Sequence, residues 1–385
     1  MPQKLRQPAL SSKSSPSVPD TSYDSDSSLD SEDEELNSRV SPYWPRYRSS
    51  LSKRGFRLDT VRDVRAFYAN IGRAPPRSTH GADDDALCRD PGLPDRLFRG
   101  TRIHDGKKII VKAVCLRSHE YAIIRYLSSP PLRDNRLNHT IPVLDLVPVP
   151  DDDIGFIVME EWTRQLMHTT PCSLRSFLRT LRQCIEGIAF LHANYIAHLD
   201  ISIHNLLTDD NGRYAYIDFE CSRRFPPPPP SSYMYASTAS GHHHSQSSGR
   251  DVYSRAPSQT NSIPNMSRAS SSSSNSSMST SSSRSNSGPP RIRGYRGTEV
   301  PPDVERGADS CPFAIDVWAL GILILRACQM TGYEVPELTA LTVPMLAEVS
   351  DARPPARAVL AAFDKMVSRL GDTRLGSKDG GCACG

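Results

Sequence analysis

His198-Leu199-Asp200-Ile201-Ser202-Ile203-His204-Asn205, followed by Ile217-Asp218-Phe219-Glu220, is the stretch on which the fold turns. A lone Asp in a polar loop is usually a turn residue, so the weight lies in what surrounds the pair. Upstream, Lys108–Val114 reads Lys-Ile-Ile-Val-Lys-Ala-Val, a buried-strand pattern carrying Lys112. A second apolar strand, Phe156–Met159, leads into Glu160-Glu161-Trp162. Between them Ser118–Leu127 predicts a short helix, with Ile123, Ile124 and Leu127 at helical spacing. After Ser173, which suits an N-cap, Leu174, Leu178, Leu181, Ile185, Ile188 and Leu191 form one apolar face. Phe313–Cys328 is apolar around its whole circumference, the mark of a helix buried inside a domain. Downstream of the central pair come Gly297-Thr298, Pro301-Pro302-Asp303, Asp316-Val317-Trp318-Ala319-Leu320-Gly321 and Asp351-Ala352-Arg353-Pro354.

The first quoted segment has the form H-x-D-x-x-x-x-N and the second the form D-F-x. Together, and in this order with the flanking motifs, they resemble the catalytic core of the eukaryotic protein kinase superfamily. The likeness runs over roughly residues 95–365, and the chain resembles the divergent kinase-like proteins common in fungi. It implies an α+β, two-lobed protein-kinase-like fold, with a small β-rich N-lobe carrying one helix and a larger helical C-lobe. It also implies ATP and Mg²⁺ as cofactors and a protein Ser/Thr hydroxyl as acceptor. On the family pattern Asp200 accepts the substrate proton, and Asn205 and Asp218 hold Mg²⁺ as hard oxygen ligands. Lys112 holds the α- and β-phosphates, itself fixed by Glu120, the one acid between residues 113 and 133. Glu160, Trp162 and Leu207 bound the nucleotide slot. Asp303 pairs with Arg353 in a buried ion pair, Asp316 anchors the catalytic loop through its backbone, and His198 is a packed scaffold residue.

Departures from the pattern bear on activity. No G-x-G-x-x-G precedes Lys112, since Gly92, Gly100 and Gly106 are isolated, so the flap over the phosphates is altered or missing. Ile110 stands where a small residue usually faces the adenine. Leu199 replaces the arginine of H-R-D, Ser202 the lysine two after the catalytic Asp, and Glu220 the glycine of D-F-G. Gly297–Asp303 is short where kinases hold peptides, and the interval from Asp316 to Arg353 has lost helical material. A catalytically impaired pseudokinase acting as a binding scaffold is therefore the rival reading. A small-molecule phosphotransferase of related fold is a third.

The rest of the chain divides by composition. Of 385 residues, 37% are hydrophobic and 32 are proline, and the apolar deficit is localised. Residues 1–42 read as a disordered acidic, Ser-rich tail, with seven acids and no base from Asp24 to Glu35. Ser27 and Ser31 there have acids three residues on, the form of a phosphorylation segment, although a solvated tail is the simpler reading. Residues 43–94 form a helical N-terminal extension, in which Val61, Val64, Tyr68 and Ile71 follow an Asp59 or Thr60 cap and Gly72 stops the helix. Residues 95–160 are the N-lobe, and 161–222 with 297–370 the C-lobe. Between them 223–296 is a Pro/Ser/Arg-rich insertion inside the activation segment, including Pro226–Pro230 and Ser270–Ser274. Its arginines suit contact with RNA or acidic partners, and Arg268-Ala269-Ser270 a phosphorylation site, with solvated filler the simpler reading. Residues 371–385 are a flexible tail. Its Cys382-Ala383-Cys384-Gly385 is a poor prenylation signal.

Charge and cysteines exclude little. The formal net charge of +3 sums an acidic start and an arginine-bearing insertion, so it points to no DNA partner. Met1–Ser12 lacks a signal-like apolar run, and Val317–Leu325 is too short to span a bilayer. Nine scattered cysteines without metal or redox spacing suggest a reduced intracellular protein, in the cytoplasm or nucleus and without stable membrane association, of a size that leaves oligomeric state open. Because residues 228–290 carry no hydrophobic period, deleting them should leave the melting temperature nearly unchanged in calorimetry. A large drop would show that the tract is part of the folded core.

Overall fold

The strand carrying Lys112 lies at the centre of a five-stranded antiparallel sheet in the computed structural model, which describes residues 36–209, 211–227, 289–295 and 297–375. The readings of residues 1–35 as an acidic tail, of 228–288 as an insertion and of 376–385 as a tail end lie outside the described residues. In chain order the N-lobe contains α1 (Trp44–Lys53), β1 (Phe56–Leu58), α2 (Val61–Asn70), β2 (Leu97–Arg102), β3 (Lys108–Cys115), α3 (His119–Leu127), β4 (Val143–Val149) and β5 (Ile154–Glu160). The sheet order is β1-β2-β3-β5-β4.

Strand alternation explains why this sheet has two cores. On β3, Ile109, Val111 and Ala113 face outward and are fully buried, because α1 lays Trp44, Tyr47 and Leu51 over them together with Phe98, Phe156 and Val158. The alternate residues Ile110 and Lys112 point to the opposite face, into the cleft between lobes. The segment before residue 95 is thus not a separate extension. It contributes a strand, β1, paired with β2, and a helix that seals the outer face. α2 also departs from expectation. Of the two candidate caps it is Thr60 that caps the helix, in a capping box with Asp63, but Ile71 is 46% exposed, and Val61 and Val64 pack with Cys88 inside the β1–β2 connection rather than on the main core.

The C-lobe contains β6 (Arg164–Gln165), α4 (Leu174–Ala193), β7 (Ile196–Ala197), β8 (Leu206–Thr208), β9 (Tyr214–Tyr216), β10 (Arg223–Arg224), α5 (Pro302–Glu305), α6 (Pro312–Thr331), α7 (Pro336–Met345) and α8 (Ala356–Leu375). Ser173 accepts a hydrogen bond from the Ser176 amide and caps α4, whose apolar stripe then meets α8 and α6. α6 is long and apolar enough to cross a bilayer, yet Ile315, Val317, Leu320 and Ile324 are spent in the C-lobe core. Its sequence is that of a central helix. α8 runs through the expected start of the C-terminal tail at residue 371. Gly371 kinks it at a φ of 69°, and Leu375 beyond the kink is buried in the main core.

Arg353 and Asp303 form the ion pair at 2.5 Å, with the arginine side chain fully buried and Ser310 also donating to Asp303. Cys172 is disulfide-bonded, while Cys88, Cys115, Cys184, Cys221, Cys311 and Cys328 are free thiols, a mixture the reduced-state expectation did not include. Small sheet over large helical bundle, joined at residues 160–163, makes the architecture the two-lobed α+β protein-kinase-like fold. Because α1 closes the outer face of the sheet, Leu51→Ala should cost about 2–5 kcal/mol in urea unfolding. A cost below about 1 kcal/mol would mean that α1 is not part of the N-lobe core.

Candidate nucleotide site between the lobes

Lys112 reaches from β3 into the cleft, where its Nζ donates to Glu120 Oε1 at 2.6 Å and to Asp218 Oδ1 at 2.8 Å. The placement of Glu120 follows from helix packing. Ser118 caps α3, so Glu120 lies in the first turn, and Tyr121 beside it lies flat against β5 at Gly155. A Cβ at Gly155 would sit 2.5 Å from that ring, so only glycine lets α3 approach this closely. Arg224, entering the activation segment, stacks on Tyr126 of α3 at 3.6 Å and holds the helix from the other side.

The three charges shift one another in a consistent way. Burial pushes the Glu120 carboxyl up, partly opposed by Lys112. Burial also works against the Lys112 ammonium, but Glu120 and Asp218 outweigh it and hold the charge on. Lys112 in turn draws the Asp218 carboxyl below the usual carboxylate range. One Glu120 oxygen, Oε2, is buried with no hydrogen-bond donor among the described residues, so the inner end of the cleft keeps unspent acceptor capacity. One oxygen from each of Glu120, Asp218 and Glu220 lies within 4.8 Å of the other two.

From this charged end a cavity of about 350 Å³ opens toward the chain crossing between lobes. Leu97, Ile110, Met159, Leu207 and Ile217 make its walls apolar, and Glu160, Glu161 and Trp162 line its outer side. The Trp162 indole donates to Glu160 Oε2 at 3.3 Å. An apolar slot ending in a cation and acids is the donor set that a nucleotide with a divalent ion requires. Ile110 does project into the slot and narrows it.

Asp200 and Asn205 stand apart from the cavity wall, on the loop between β7 and β8. Asn205 Nδ2 donates to the Asp200 carbonyl at 2.9 Å and to its Oδ2 at 2.7 Å, while the Thr298 amide donates to Oδ1 at 2.7 Å. The loop itself hangs from Asp316 on α6, which accepts from the amides of His198 and Leu199, both at 2.8 Å, and from His192 Nε2 at 2.9 Å. Those bonds hold Leu199 in the left-handed region at a φ of 64°, a conformation costly for a branched side chain. His198 is fully buried, faces the Ile217 carbonyl through Nε2 and accepts the Asp200 amide at Nδ1. Burial lowers its pKa, so it stays a neutral spacer.

Two features were not legible beforehand. The connection between β1 and β2 is not a tight glycine hairpin but the folded excursion 59–96, and its end supplies Leu93, Pro94 and Arg96 to the cavity wall. Arg96 forms a two-pronged pair with Glu220, Nη1 to Oε1 at 3.1 Å and Nη2 to Oε2 at 3.2 Å. Glu220 in place of glycine was the only hint, since an acid beside two others demands a cation. Leu199 shows a second compensation. It packs with Ile292, Tyr295 and Ile315, so the returning activation segment docks on an apolar contact where the family pattern has a charged one. Gly297 is required there because a Cβ would overlap the Tyr295 hydroxyl and the Leu199 carbonyl.

Comparison with known proteins points the same way. No family model matches the chain. It is 26% identical over 138 residues to cyclin-dependent kinase 20 of Rattus norvegicus, covering 34% of this chain and 39% of that protein. It is 29% identical over 135 residues to serine/threonine-protein kinase bur1 of Neurospora crassa, covering 35% and 21%. A shorter match, 46% over 44 residues, links it to mitogen-activated protein kinase kinase kinase A of Dictyostelium discoideum. The chain thus spans well under half the length of these relatives. With the fold, these similarities make the protein kinase-like.

The lowered Asp218 pKa has a sign that can be tested. Its folded value lies below the unfolded value of about 3.9, so its stabilising contribution is complete above that pH and is lost as pH falls through the folded value. The stability difference between wild type and Asp218→Asn in urea should be flat above about pH 5 and narrow below about pH 4. A difference that persists unchanged into acid would show that Lys112 does not hold Asp218.

Proposed function

We propose that this protein is a phosphotransferase that binds Mg·ATP in the cleft and transfers the γ-phosphate to a Ser or Thr hydroxyl of a protein. The observation that carries this reading is the bridge of Lys112 between Glu120 and Asp218, with the Asp200 loop hung from Asp316 beside it. Phosphoryl transfer needs little covalent help from the protein; it needs charge placed on the phosphates and the acceptor held in line. Lys112 supplies the fixed positive charge. Asp218 and the amide oxygen of Asn205 are the groups that would hold the divalent ion, whose chemistry is to neutralise charge on the phosphate oxygens. Asp200 takes the proton of the acceptor hydroxyl, and its two oxygens are oriented by Asn205 and the Thr298 amide for that task. Leu207 and Leu97 hold the base between them, and Glu160 and Trp162 close the slot. An intracellular setting and a protein substrate accompany this reading.

The Arg96–Glu220 pair at the phosphate end supports a second reading, a pseudokinase that keeps the fold as a binding scaffold. Lys112→Met and Asp218→Asn separate the two. Wild type should show Mg·ATP-dependent thermal stabilisation and phosphate incorporation into protein, and each variant should lose incorporation by about a hundredfold or more. Thermal stabilisation without any incorporation would favour the scaffold. Incorporation into choline-like or aminoglycoside-like acceptors alone would overturn the protein-substrate assignment.

A further inference from the structure

We propose that Arg96 is the phosphate-holding residue that replaces a glycine-rich loop in this protein, and that Glu220 parks its guanidinium until a nucleotide arrives. The inference rests on the nucleotide-binding reading above and adds a binding residue to it. A glycine-rich loop covers phosphates in kinases. Here much of the backbone entering β2 is already committed. Pro94 has no amide hydrogen, the Leu93 and Leu97 amides donate to the Asp90 and Pro94 carbonyls, and Leu97 is in register with Lys112 in the sheet. The preceding excursion is tied down by Arg65–Asp84 and by Asp90, which receives both Tyr68 and Arg99. It is a folded insert, not a flap. What this edge offers an anion is the Arg96 side chain.

That side chain is suited to the task. It lines the cavity with Lys112 and Asp218, so it borders the charged end where a polyphosphate would lie. A guanidinium engages phosphate in the same two-pronged geometry that it uses for a carboxylate. Among the described residues, Arg96 and Glu220 are each other's only side-chain hydrogen-bond partners. Both keep partial solvent access, at 28% and 20%, so an incoming anion can reach the guanidinium. Charge gives the reason such a residue is needed. Glu120, Asp218 and Glu220 converge there, three acids against the ammonium of Lys112, so a further fixed cation beside the divalent ion favours a polyphosphate. Arg96 brings the second positive charge. Glu220 sets how readily it is released, because any fraction of protein with Arg96 parked lowers apparent nucleotide affinity by that fraction.

The test is calorimetric titration of the full chain and its variants with Mg·ATP and with adenosine, which lacks phosphates. Arg96→Ala should weaken Mg·ATP by about tenfold and leave adenosine unchanged. Arg96→Lys, which keeps charge but loses the fork, should fall between. Glu220→Gln should tighten Mg·ATP and leave adenosine alone. Wild-type affinity for Mg·ATP in Arg96→Ala, or an equal loss for adenosine, would reduce Arg96 to a structural role and overturn the proposal. Weaker Mg·ATP binding in Glu220→Gln would also overturn it and assign Glu220 to the cation. Wild type that binds neither ligand would remove the nucleotide-binding reading itself, an outcome distinct from a failure of Arg96 alone.

Discussion

The ammonium of Lys112, held at once by Glu120 and Asp218, is the contact on which the rest of the molecule depends. It joins the sheet, helix α3 and the loop after β9. Lys112 and Glu120 are largely buried, and such a pair survives only when its geometry is good and its neighbours satisfy what remains. The fold meets that condition from outside the pair. Gly155 lets α3 come close, Arg224 braces the helix through Tyr126, and α1 closes the outer face so that β3 can turn Lys112 inward without exposing Val111. Alternation along one strand thus assigns Ile109, Val111 and Ala113 to stability and Ile110 and Lys112 to the cleft.

The substitutions that set this chain apart from kinases act in compensating pairs. Losing the glycine hairpin brings Arg96 to the cleft, and losing the glycine after Phe219 places Glu220 opposite it. Losing the arginine before Asp200 leaves Leu199, and the returning segment answers with Ile292 and Tyr295 rather than with an acid. Each pair replaces one kind of contact by another of similar reach. The catalytic loop keeps its position because Asp316 binds backbone amides, which do not depend on what side chain occupies position 199.

Much of this was open to a reader of the chain alone, for a physical reason. Helices α3, α4 and α6 announce themselves through periodicity and caps, and strands β3 and β5 through short apolar runs, because those signals are local. The spacing of Asp200, Asn205 and Asp218 was readable for the same reason, since one short loop and one turn carry all three. α1 was harder to see. Only Trp44, Tyr47 and Leu51 are buried on it, and a proline follows Trp44 in its first turn, so its apolar stripe is narrow. The strand β1 is three residues long and has no period to detect.

By itself, then, the sequence determined the two-lobed class, the order of its motifs and the identity of the residues that could carry charge into the cleft. Tertiary structure alone decided that Arg96 meets Glu220, that Leu199 meets Ile292, and that the chain before residue 95 belongs to the sheet. Those contacts join residues far apart along the chain. Their partners are chosen by how strands register and helices dock, and no local pattern in the sequence encodes that choice.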